Sequence, residues 1–169
     1  MIRSFRGMRP SVAPSAFIDE SAVLIGDVIV GEQSSIWCQV TVRADTSRVT
    51  IGDETNIQDN SCLHEDADAP LNIGNGVVVG HSCTVHGCDV EDDCLIGMGA
   101  TILSKARIGA GSIVAAGAVV LGGTEIPPRR LVAGVPARVK REISDVELER
   151  TRENARHYVE LAAQYRQET

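Results

Sequence analysis

Three of the four histidines fall in one segment, NSCLHEDADAPLNIGNGVVVGHSCTVHGC, at His64, His81 and His86. Three neutral imidazoles around one ion, with a fourth position open, form the ligand set of a catalytic zinc site. Such an ion lowers the pKa of a bound water to about 7 and so supplies hydroxide at neutral pH. The separations here are 17 and 5 residues. Neither is the three or four that brings side chains together on a helix. Whether the rings meet therefore depends on the backbone that carries them. The plainer alternative is three unrelated polar residues on an exposed wall.

That backbone shows itself as a repeat. Ile18, Leu24, Val30, Ile36 and Val42 fall every six residues. Ile51, Ile57 and Leu63 follow a short insertion, and Ile73, Val79 and Val85 a longer one. Val90, Ile96, Ile102, Ile108, Val114, Val120 and Ile126 then run without a slip. Small residues stand two places before most positions of this last run: Cys94, Ala100, Ala106, Ser112, Ala118 and Thr124. A period of six fits neither one helix nor one long strand. It fits an all-β solenoid, a parallel β-helix whose short strands each send one branched aliphatic inward. Three faces make a triangular coil of about eighteen residues. The eighteen apolar positions give about six coils, stacked at the strand spacing of about 4.8 Å.

Counting faces places the histidines. Three apolar steps separate Leu63 from Val85, so His64 and His86 occupy equivalent positions in adjacent coils. Three steps back put Arg43 in the same column. His81 follows Val79 by two, as Asp59 follows Ile57, which makes a second column one face earlier. Within one chain the three rings should not converge on one ion. Three copies around a threefold axis would set one column against the other column of the next copy, with an ion at each interface. Cys83 and Cys88 lie outside both columns and read as structural.

The repeat should end near IPPRRLVAGVPARVKR, because Pro127 and Pro128 cannot continue a central ladder. Ser144 and Glu147 form a capping-box pattern. A helix should run from there to about Tyr165, with Tyr158, Leu161, Ala162 and Tyr165 on one face. The chain thus divides into a repeat domain over 1–140 and a packing helix over 141–169, and the segment before Ile18 covers the other open end.

Composition excludes some partners. Net charge is −7, which argues against nucleic acid and against an anionic membrane surface. No window approaches a membrane span, and the first residues contain no apolar signal core. Five cysteines without a CxxC pair point to reduced thiols and a cytoplasmic protein.

VRADTSRVTIGDETNIQDNSCLH, followed by GHSCTVHGC, resembles the γ-class carbonic anhydrases and their bacterial relatives over nearly the whole chain. The resemblance implies a left-handed β-helix and a homotrimer with metal at the subunit interfaces. His64 and His86 would come from one subunit and His81 from the next. Zinc is the implied ion, with iron(II) or cobalt(II) also suited to imidazole. Arg43 and Asp59 resemble the intersubunit ion pair beside the metal, and Asp45 a further interface residue. Gln58 matches the amide near the metal's water, with Asn56 nearby, and Tyr158 the helix tyrosine over the site. The reaction implied is reversible hydration of carbon dioxide to bicarbonate by metal-bound hydroxide. Thr46 departs from the pattern, since some active members carry glutamate there and a threonine cannot exchange protons near neutrality. Glu65, Asp66 and Asp68 of the acidic insertion EDADAPLN are candidate proton carriers, or simply a solvated charge run. Two other classes remain open. AGVPARV resembles the end of hexapeptide acyltransferases, which keeps acyl transfer or coenzyme A thioester hydrolysis in view. A catalytically weak scaffold or assembly protein is the non-enzymatic alternative.

Overall fold

The computed structural model describes residues 1–168, and these form a left-handed parallel β-helix closed by one C-terminal helix. Its first wall stacks Phe17–Ile18, Ser35–Ile36, Asn56–Ile57, Val78–Val79, Leu95–Ile96, Ile113–Val114 and Arg130–Ala133. The second wall includes Cys62–His64, Thr84–His86, Thr101–Ile102 and Val119–Val120, and the third Leu71–Ile73, Asp89–Val90, Arg107–Ile108 and Glu125–Ile126. Two longer strands, Val23–Val30 and Thr41–Ile51, pass from second wall to third without a break and join both into one twelve-stranded sheet. The bend is made at Gly26, where φ is +82° and a Cβ would stand 1.9 Å from the Ala44 carbonyl oxygen. Only glycine fits so close an approach.

Seven parallel strands on the first wall make seven turns, against the six counted from apolar positions. The extra turn comes from the ends. Ser11–Val12 pairs with Ile29 and Val30 at the top, and Val132 extends the first wall at the bottom. The repeat positions from Leu24 to Ile126 are all buried and fill one continuous core with the small corner residues. At about 1.5–3 kcal/mol per buried aliphatic side chain, that column is the main source of stability. Ile18 is only partly buried, because the coil above it is incomplete.

At the bottom the chain reverses. Arg138–Glu142 pairs antiparallel with Arg130–Ala133 and ends the parallel ladder. The helix Asp145–Glu168 (α1) then runs back along the first wall. Its start is the expected capping box: Ser144 N donates to Glu147 Oε2 at 2.9 Å and Glu147 N donates to Ser144 Oγ at 3.3 Å. Its apolar stripe meets the prism of its own chain. Tyr158 and Tyr165 pack on Trp37 with ring centroids 5.7 and 5.2 Å apart. No helix is long and apolar enough to cross a membrane among the described residues.

Candidate metal centre

Parallel pairing without register shift puts His64 and His86 side by side on the second wall. Their ring centroids are 5.1 Å apart, with planes at 83°. His81 lies at the corner between first and second walls, immediately before Ser82, whose φ is +59°. Asp59 holds the same place one coil earlier, before Asn60 at +62°. The left-handed residue turns each corner and leaves its predecessor on the rim. His81 is accordingly the most open of the three rings, at 45% side-chain exposure against 18% for His64.

Each ring has Nδ1 engaged by a neighbour. His64 Nδ1 lies 2.7 Å from the Arg43 carbonyl oxygen, and His81 Nδ1 lies 2.8 Å from Asp59 Oδ2. Both partners only accept, so each ring carries a proton on Nδ1, and in the neutral imidazole the lone pair then falls at Nε2. His86 Nδ1 lies 2.9 Å from Ser104 Oγ, and Ser104 in turn donates to Asp66 Oδ2 at 2.6 Å. Nδ1 anchored and Nε2 free is the arrangement that orients metal-binding imidazoles. The residues therefore suit the ion the resemblance implies.

In one chain the three sets of ligand atoms do not gather. Among the described residues, one group of three has its ligand atoms within 4.8 Å of one another: Asp45, His64 and Glu65. Asp45 approaches His64 at Nε2 (3.9 Å) and Glu65 approaches it at Nδ1 (4.0 Å). This group contains one of the three histidines, so it is distinct from a three-imidazole ligand set. Asp45 is also held by Arg43, at 2.6 Å, and this hydrogen bond lowers its pKa. Within the chain Arg43 pairs with Asp45, and Asp59 pairs with His81.

Gln58 is buried on the first wall and donates through Nε2 to Asn56 Oδ1 at 3.0 Å. Asn56 Nδ2 is left without a partner among the described residues. α1 brings Tyr158 to the Asp59 side of the prism. Burial pushes its pKa up, and the charge on Asp59 adds to this. Tyr158 packs edge-on against Trp37 of the first wall.

The acidic insertion does not behave as one solvated run. Glu65 is buried and accepts from the Thr46 amide at 2.8 Å, with Oε2 unpartnered. Asp66 reaches Ser104, and Asp68 holds Lys105 Nζ at 2.6 Å. Ser104 escaped notice in the sequence. Face counting could have found it, since it follows Ile102 by two as Glu65 follows Leu63. Cys83, Cys88 and Cys94 are buried, and burial pushes the thiols of Cys88 and Cys94 up to about 12.

Two further features lie on the same prism. A cleft of about 570 Å³ opens beside Asp45 and Thr46, lined also by Phe5, Arg6, Met8 and Arg48. The histidine columns continue downward as exposed apolar side chains. Leu103 and Leu121 follow their core residues by one, as His86 does, and Met98 follows Ile96 by two, as His81 follows Val79.

A single-helix, seven-turn prism with paired histidines on one wall defines a hexapeptide-repeat protein. The bacterial transferase hexapeptide family (six repeats) matches residues 87–122. A carbonic anhydrase from Geobacillus kaustophilus is 42% identical over 166 residues, covering 98% of this chain and 91% of that protein. The mitochondrial gamma carbonic anhydrase 2 of Arabidopsis thaliana is 40% identical over 159 residues, 90% of this chain and 57% of the longer plant protein. A crystal structure from Bacillus cereus, named only provisionally as an acetyltransferase, superposes with a TM-score of 0.98 at 39% identity, covering 99% of this chain and 98% of that one. The chain belongs to the γ-carbonic-anhydrase-like family of hexapeptide-repeat β-helix proteins.

Proposed function

We propose that three copies of this chain assemble around a threefold axis and catalyse the reversible hydration of carbon dioxide to bicarbonate. One observation carries the reading. His64 and His86 share a register, while His81, equally prepared at Nε2, stands on a different column of the same prism. A second copy of the chain would bring the third ring to the first two. The exposed Leu103, Leu121 and Met98, aligned below both columns, are the apolar surface that such a contact would cover.

His64 and His86 of one subunit and His81 of the next would hold the ion, zinc by ligand type, with iron(II) or cobalt(II) also suited. Bound there, a divalent metal supplies the Lewis acidity that makes water a nucleophile near pH 7. The chain's own groups do the rest. Asp59 orients His81, and Asp45 fixes the Arg43 guanidinium next to His64. In such an assembly Arg43 would meet Asp59 of the neighbouring subunit, the ion pair that the family resemblance implies. Gln58, which donates to Asn56, and Tyr158 on α1 would line the first-wall side of the site. Glu65 brings a buried carboxylate to the position where Thr46 supplies none, with Oε2 free of any other partner among the described residues. Five free cysteines fit a reducing, cytoplasmic setting.

Likeness to the Bacillus cereus structure named as an acetyltransferase keeps a second reading in place, acyl transfer or hydrolysis of a coenzyme A thioester at the same centre. Stopped-flow carbon dioxide hydration, on protein purified without oxygen and assayed for metal, separates the two. Hydration should require about one metal per chain and vanish in His81→Ala with the trimer retained. Mixing His64→Ala and His81→Ala subunits should restore part of the rate, because some interfaces then regain a full ligand set. A metal-loaded protein without hydration sinks the first reading.

A further inference from the structure

We infer that the acidic insertion is a clamp that sets the tautomer of His86, with Ser104 as the positioning residue between them. The inference rests on the reading of His86 as a metal ligand and adds what prepares it. Ser104 Oγ lies 2.9 Å from His86 Nδ1 and 2.6 Å from Asp66 Oδ2. A hydroxyl has one proton, and an ionised carboxylate accepts only. The Ser104 proton is therefore committed to Asp66. What faces His86 Nδ1 is the serine lone pair, with Asp66 Oδ2 a second acceptor 3.7 Å away, so the neutral ring keeps its proton on Nδ1 and its lone pair on Nε2. Without Asp66 the hydroxyl could donate to Nδ1 instead. The ring proton would then sit on Nε2 and block it as a ligand.

The clamp is built into the backbone. Gly87 stands between Glu65 and Ser104 in their column and takes φ +48°. A Cβ there would lie 2.8 Å from the Ala69 carbonyl oxygen and 3.4 Å from Ser104 Oγ. The missing side chain leaves the gap through which Asp66 reaches Ser104. Asp66 and Ala69 exchange backbone hydrogen bonds at 3.1 and 3.0 Å, which closes the insertion into a small hairpin. Asp68 then ties it to Lys105 next to Ser104. The arrangement makes His64, His81 and His86 alike: each meets an enforced acceptor at Nδ1, supplied by a carbonyl, a carboxylate and a carboxylate-committed serine.

The test uses the full chain in its assembled state, with cobalt(II) as the probe. Ser104→Ala should weaken cobalt(II) affinity about 10- to 100-fold in a chelator competition. Ser104→Thr keeps the hydroxyl and should keep the wild-type affinity. In metal-free protein, ¹⁵N spectra should show His86 protonated on Nδ1 in the wild type and redistributed toward Nε2 in Ser104→Ala. Asp66→Ala, on the exposed hairpin, should give the same redistribution and decides the matter if Ser104→Ala fails to fold. An Nε2-protonated His86 in the wild type, or an unchanged tautomer in both variants, overturns the clamp. If the wild type binds no cobalt(II), the metal reading fails, while the tautomer measurement still decides the clamp.

Discussion

The buried carboxylate of Glu65 accepts a hydrogen bond from the backbone amide of Thr46, 2.8 Å away and one coil earlier. The residue that cannot exchange protons is thereby joined to one that can. Two substitutions separate structure from chemistry. Glu65→Ala removes the acceptor of a partly buried N–H and should cost about 1–3 kcal/mol in denaturant unfolding. Glu65→Gln keeps an acceptor for Thr46 and should largely keep stability. It cannot carry the proton, so turnover should fall about 100-fold and recover with added imidazole buffer. Wild-type turnover in Glu65→Gln would leave Glu65 a purely structural role.

Leu103 stands below His86 in the same column and is more than a third exposed. If that column meets a second copy, a charge there breaks the contact without touching the core. Leu103→Glu should shift the mass in sedimentation from three chains to one of 18.0 kDa. Metal content should fall with it, while thermal unfolding of the single prism stays cooperative. A variant that remains trimeric would place the interface elsewhere.

Acid stability has a local marker at the start of α1. Arg141, then the amide and hydroxyl of Ser144, pull the pKa of Glu147 down from its ordinary 4.5 to about 2. A carboxylate whose pKa is lower in the folded state stabilises the fold above its unfolded value. That contribution is lost as pH falls through the folded value. The difference in melting temperature between wild type and Glu147→Gln should therefore be full well above pH 4.5, shrink as pH falls toward 2 and vanish below it. A difference independent of pH would mean that the cap acts by packing and not by charge.

Much of the centre could be read from spacing alone. The pairing of His64 with His86, and of Asp59 with His81 at the other corner, followed from counting apolar positions, because parallel strands in register repeat every third face. The C-terminal helix was legible in Ser144, Glu147 and the Tyr158–Leu161–Tyr165 stripe. The insertion 65–72 was not legible, because it breaks the period that makes the rest readable. Its three acids look alike in sequence, yet one is buried on Thr46, one holds Ser104 and one pairs with Lys105. Arg43 likewise has several carboxylates within reach of its column, and only side-chain geometry selects Asp45 within the chain.

By itself, then, the sequence determined the prism, the phase of its coils and the columns on which the imidazoles stand, since inward aliphatics at a period of six allow one stacking. The tertiary structure decided which acceptor each ring meets, and so which nitrogen is free. Those partners, and the Asp66 that Ser104 meets 38 residues away, are chosen by hydrogen-bond distance, which periodicity does not encode.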